Sequence, residues 1–170
     1  MQKLLAELKR LLPHVSFEAG EAFFWSPGTN KITYKPGKAK GNQYKWALLH
    51  ESAHALLAHQ DYKYDIELLL LEVEAWEKAK SIAKDLGLTI EEDPIQDCLD
   101  TYRDWLHQRS TCPRCSTASL QVSPREYRCH NCSADWNVSA SRFCRPYRIS
   151  GQQTKKSPEV IQATFSVKVL

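Results

Sequence analysis

The stretch "WALLHESAHALLAH" over residues 46–59 constrains this chain more than any other. Its apolar residues suit a helix packed in a core, yet His50, Glu51 and His54 sit in its middle. Burying such groups without partners is costly, so the run needs a ligand to satisfy them. On a helix His50 and His54 stand one turn apart on one face, about 6 Å along the axis, where both imidazoles reach one metal ion. Glu51 falls beside that ion, placed to move protons as a general base. Two histidines are two ligands, and the third must come from elsewhere.

The helix is read from about Asn42 to about His59, and that reading excludes His59. At about 100° per residue it lies some 140° around from His54 and 180° from His50. The position six residues after His54 is Gln60. Asp61 and Asp65 fall in the connecting segment and are weak candidates. The next helix, from about Tyr64 to Leu86 with Gly87 as its C-cap, carries Glu67, Glu72, Glu74 and Glu77. With Leu68 at 0°, the apolar face made by Leu71, Ala75, Ala79, Ile82, Ala83 and Leu86 spans about −60° to +60°, and Glu72 falls inside it at about 40°. The other three glutamates lie on the polar side. A carboxylate in an apolar stripe must be neutral, paired or metal-bound, and Glu72 is the third-ligand candidate.

"HESAH" followed by "EVEAWEKA" resembles the gluzincin zinc metallopeptidases, nearest to the ImmA/IrrE-like and minimal-gluzincin types, over roughly residues 1–90. The resemblance implies a small sheet, the histidine helix and a glutamate helix. It makes His50, His54 and Glu72 the ligands of a catalytic zinc and Glu51 the general base. Three protein ligands leave a fourth position for water, so the implied activity is zinc-dependent endopeptidase hydrolysis of a protein or peptide substrate. Trp76 stands where many relatives carry an Asn or Asp that supports a histidine ligand. Substrate is expected to lie along an edge strand by β-augmentation, with "KITYK" (Ile32, Thr33, Tyr34) as that edge.

"CPRC" at 112–115 and "CHNC" at 129–132 give C-x₂-C-x₁₃-C-x₂-C. Two such knuckles suit one tetrahedral zinc, and the β-like segments "SLQVSP", "EYRCH" and "ADWNVS" predict a zinc ribbon. Four thiolates close the shell, so Cys112, Cys115, Cys129 and Cys132 hold a structural metal, and two Zn²⁺ are expected in all. His130 reads as a surface residue, Cys98 as a small buried hydrophobe, and Cys144 has no partner spacing.

Net charge is +3 overall, but it is uneven. Residues 1–106 carry 13 Lys/Arg against 17 Asp/Glu, whereas residues 107–150 carry seven Arg (109, 114, 125, 128, 142, 145, 148) against Glu126 and Asp135. With Tyr127, Trp136, Phe143 and Tyr147, those arginines suit phosphate contact and base stacking. The basic ribbon is expected to target the peptidase to a protein or nucleic-acid-bound substrate; the alternative function is a nucleic-acid-binding regulator with a vestigial or metal-sensing protease fold.

The expected class is α+β: a small antiparallel or mixed sheet with the two site helices, then a small all-β zinc ribbon. The expected domains are 1–109, 110–150 and a tail, 151–170, ending in a strand-like "VIQATFSVKVL" that could block the cleft. "MQKLLAELKRLLPH" reads as an amphipathic helix rather than a signal peptide, and no apolar run reaches the roughly 18 residues of a membrane span. A cytoplasmic protein without membrane partners is the expectation.

Overall fold

The computed structural model describes residues 2–36, 42–139 and the backbone of 149–150. The architecture is α+β, with four α-helices and two small sheets. Contacts divide the described chain into two units, 2–61 with 71–95 and 62–70 with 96–150. The expected boundary at Ser110 falls inside the second of these. Among the described residues no helix is long and apolar enough to cross a membrane.

In the first unit α1 (Gln2–Leu11) buries Leu4 and Leu8, one helical turn apart. Strands β1 (Ser16–Ala19), β2 (Phe24–Ser26) and β3 (Lys31–Tyr34) form a sheet in the order β1-β3-β2. β1 pairs parallel with β3, and β2 pairs antiparallel with it. A single 3₁₀ turn over Pro27–Thr29 joins β2 to β3, and Asn30, not Gly28, takes the left-handed conformation, at φ 48°. β3 is therefore the central strand. Lys31, Ile32 and Thr33 are paired on both sides and Ile32 is fully buried, so this strand is not the free edge expected of "KITYK"; Tyr34 pairs with β1 alone.

Helix α2 (Gln43–Leu56) packs on β2 and β3 and buries Leu48, Leu49 and Ala53. It is shorter than its sequence suggests, because the chain leaves the helix through Ala58 at φ 53°. The amide of His59 bonds the carbonyl of His54 at 3.0 Å, and that of Ala58 bonds Ala55 at 3.1 Å, a Schellman ending with alanine in the place usually held by glycine. Helix α3 (Asp65–Asp85) opens with Glu67 accepting from the amides of Lys63 and Tyr64, a capping-box contact. It closes with Gly87 at φ 66°, as expected. Its buried face holds Leu68, Glu72, Ala75, Trp76, Ala79, Ile82 and Ala83, most of the apolar stripe read from helical phase, while Leu71 and Leu86 of that stripe are half-buried.

In the second unit α4 (Glu92–Ser110), from Gln96 onward, leads into a sheet of β4 (Leu120–Ser123), β5 (Glu126–Arg128), β6 (Asp135–Asn137) and β7 (Ile149–Ser150), antiparallel and in sequential order. Its core is Cys112, Tyr127, Cys129, Trp136 and Val138, with Tyr127 stacked on Trp136 at 5.5 Å between ring centroids. Cys98 on α4 is half-buried rather than buried, and His130 is exposed. Cys144, Phe143, Tyr147 and the tail lie outside the described residues.

Candidate metal centre

Two groups of side chains could each hold a metal ion. In the first unit His50, His54 and Glu72 converge, with His50 and Glu72 buried. His50 Nε2 lies 3.1 Å from Glu72 Oε2 and 3.1 Å from His54 Nε2, and His54 Nε2 lies 3.7 Å from Glu72 Oε1. Ligands about 2.0–2.1 Å from a tetrahedral ion stand about 3.3 Å from one another, so this triangle has the size such an ion requires. The donor set, two imidazole nitrogens and a carboxylate, suits zinc chemistry.

The three groups are electrostatically coupled. Burial by itself would raise the Glu72 carboxyl, but hydrogen bonds and charge from His50 and His54 hold it well below the usual carboxylate range. Burial opposes protonation of His50, yet Glu72, joined by the charge of Glu51, outweighs it and raises that imidazole.

Glu51 stands beside the triangle, and its Oε2 accepts a hydrogen bond of 2.8 Å from the backbone amide of Trp25 on β2. Burial, the largest influence, lifts its pKa above the ordinary value; Glu72 adds to this, while His50, His54 and the Trp25 amide pull the other way. The Trp25 indole also donates 3.0 Å to the carbonyl of His59. One residue of β2 therefore anchors both Glu51 and the turn after α2. Sequence reasoning missed this because a backbone amide has no residue-type signature.

His50 and His54 are supported differently. The His50 ring stacks on Trp76 with centroids 4.2 Å apart, and its Nδ1 is buried without a hydrogen-bond partner among the described residues. His54 Nδ1 lies 2.8 Å from His59 Nδ1. His59 Nε2 in turn lies 3.3 Å from a Glu74 carboxylate oxygen, at ion-pair range although not aligned as a hydrogen bond. His59, excluded as a ligand by helical phase, returns as the partner of a candidate ligand because the helix has ended before it.

The second group, Cys112, Cys115, Cys129 and Cys132, has its four sulfurs within 4.8 Å of one another. Cys112–Cys132 and Cys115–Cys129 are 3.6 and 3.5 Å apart, near the roughly 3.8 Å that Zn–S bonds of about 2.3 Å imply. The two knuckles are built alike. Ser116 and Ser133 take φ of 59° and 57°, and their amides bond Cys112 and Cys129 carbonyls at 2.9 and 3.0 Å. Thr117, through hydroxyl and amide, and then Asn131 bring the Cys115 thiol down to about 5. Although the Ala134 amide favours the Cys132 thiolate, burial and the crowding sulfurs push that thiol up to about 12. A cation would relieve that crowding.

Several residues of the basic segment are not available to a ligand. Tyr127 and Trp136 are 2% and 1% exposed, so they form the core of the module and cannot stack on bases. Arg109 is 1% exposed and engages Asp65, which removes both from the candidates named from sequence. Arg128 pairs with Asp135 on the surface, and Arg114 and Arg125 are exposed.

Comparisons with protein-family models, with curated proteins and with solved structures gave no match to this chain.

Proposed function

We propose that the chain is a zinc-dependent endopeptidase of gluzincin type, with a structural zinc in a C-terminal ribbon formed by the four cysteines. The observation that carries this reading is the convergence of Glu72, from the apolar face of α3, on His50 and His54, with Glu51 held beside them by the Trp25 amide. His50, His54 and Glu72 would hold the zinc, which when bound would supply Lewis-acid chemistry for hydrolysis of a peptide bond. Glu51 accepts a proton from the attacking water and delivers it to the leaving amine nitrogen. The Trp25 amide contact fixes its orientation. Substrate is a protein or peptide. It does not add alongside Lys31–Thr33 of β3, where both sides are taken.

A nucleic-acid-binding regulator is the weaker reading, because burial removes Tyr127, Trp136 and Arg109 from any binding face. Zinc binding also has no need of a base at position 51. Cleavage of a peptide library by the zinc-loaded chain, with Glu51→Gln as control, tests the proposal. A loss of roughly 10²–10⁴-fold with both metals retained is expected for the variant. A wild-type protein that holds both metals and cleaves nothing overturns it.

A further inference from the structure

We propose that His59, backed by Glu74, is a positioning residue that holds His54 in the one tautomer able to bind metal. The inference rests on the metal centre described above but not on peptidase activity.

Two Nδ1 atoms 2.8 Å apart can hydrogen-bond only if one carries the proton and the other does not. His54 turns its Nε2 toward His50 and Glu72, and an imidazole that gives a metal its Nε2 lone pair carries its proton on Nδ1. His59 Nδ1 must then accept, which leaves the His59 proton on Nε2. A Glu74 carboxylate oxygen lies 3.3 Å from that atom, and a carboxylate can only accept. The proton between His54 and His59 therefore has one consistent place, and the Glu74 carboxylate at ion-pair range favours the same arrangement by its charge. Reversing the row would put a proton on His54 Nε2 and aim the His59 lone pair at an anion.

The backbone holds His59 where this requires. Its amide bonds the His54 carbonyl at 3.0 Å and its carbonyl accepts from the Trp25 indole at 3.0 Å. In a Schellman ending the residue after the left-handed position commonly makes an apolar contact with the helix residue five before it. Those two residues here are His59 and His54, and the contact is a hydrogen bond. Metal-bound histidines generally need such a partner for the second ring nitrogen, and Trp76 gives His50 a stacked ring rather than an acceptor.

The test is Zn²⁺ affinity of the full chain, read by competition with a chromophoric chelator, together with long-range ¹H–¹⁵N spectra of the histidines before the His50–His54–Glu72 site is loaded. His59→Ala should weaken the site roughly 10- to 100-fold while the four-cysteine site is unchanged, and should release the His54 tautomer. His59→Gln, whose amide can accept at one end and donate at the other, should recover most of the loss. Glu74→Gln should cost only a few-fold, because the Glu74 side chain is 64% exposed and solvent screens it. His54→Ala is the control for loss of the site. Unchanged affinity in a folded His59→Ala protein overturns the inference while leaving the metal centre intact. If that variant does not fold, the wild-type spectrum decides: His54 protonated on Nε2 overturns the inference, and Nδ1 supports it. A wild-type chain that takes up one Zn²⁺ in place of two overturns the metal centre itself.

Discussion

Asp65 and Arg109, 44 residues apart in the chain, meet as a buried two-pronged ion pair, with Arg109 Nε 2.7 Å from Oδ2 and Nη2 3.0 Å from Oδ1. The remaining groups are matched as well. The Tyr127 hydroxyl donates 2.6 Å to Asp65 Oδ2, the third guanidinium nitrogen donates 2.8 Å to the Ser139 carbonyl, and Gln121 accepts from the Asp65 amide. The pair thus ties the first turn of α3 to the four-cysteine module. Removing one partner leaves the other charge buried alone. Asp65→Ala should cost about 3–5 kcal/mol, and Arg109→Lys should recover little geometry because ammonium lacks the fork. Faster amide exchange in β5 and β6 is the measurement.

Metal stoichiometry separates the two sites. Native mass spectrometry should find two ions on the wild-type chain, one for each group of ligands. Glu72→Ala should lose one and keep the cysteine-bound ion. Cys129→Ser should lose the other and loosen β4 to β6, because a metal held there would stabilise so small a core. Two ions retained by Glu72→Ala would remove Glu72 from the ligand set.

The left-handed alanine after α2 offers a stabilising substitution. An L-residue there costs about 1–2 kcal/mol, and Ala58 is exposed, so its methyl group returns little packing. Glycine relieves that cost but adds about 0.4–1 kcal/mol of unfolded-chain entropy. The balance predicts that Ala58→Gly stabilises by about 0.5–1 kcal/mol, a rise of a few degrees in thermal midpoint. Zn²⁺ affinity should not fall, since the His54–His59 contact is kept.

Alkaline stability should depend on Tyr127. Burial first, then the hydrogen bond to Asp65 and its charge, raise the Tyr127 pKa above the ordinary value of about 10. The neutral phenol is therefore favoured in the folded state, and its contribution is complete below the unfolded value. Above about pH 10 the unfolded chain ionises first, so stability falls as pH rises. In the metal-loaded protein Tyr127→Phe should be less stable at neutral pH and should lose less between pH 9 and about 11, as denaturant midpoints at each pH would show.

The legible part of the candidate site is the part carried by local periodicity. Glu72 is found from sequence because a charge inside an apolar stripe violates helical phase, and the four cysteines because their spacing is itself the motif. His59 was misplaced for an equally local reason. Without a glycine at position 58 nothing in the sequence announces that the helix stops, and a phase argument extended past Leu56 points its ring the wrong way. Trp25 acts on Glu51 through a main-chain amide, which no residue type predicts. The basic character of residues 107–150 is real as composition. Composition does not distinguish an arginine in solvent from Arg109, sealed against Asp65.

By itself the sequence determined which residues can carry charge or bind metal and which face of each helix is apolar, because those properties follow from side-chain chemistry and a period of 3.6 residues. Only the tertiary structure decided which of them meet. Strand order places β3 in the middle of its sheet, the turn at Ala58 brings His59 back to His54, and burial turns Tyr127 and Trp136 from a stacking surface into a core. Such pairings join residues close in space but set by chain reversals and packing, and no local pattern encodes them.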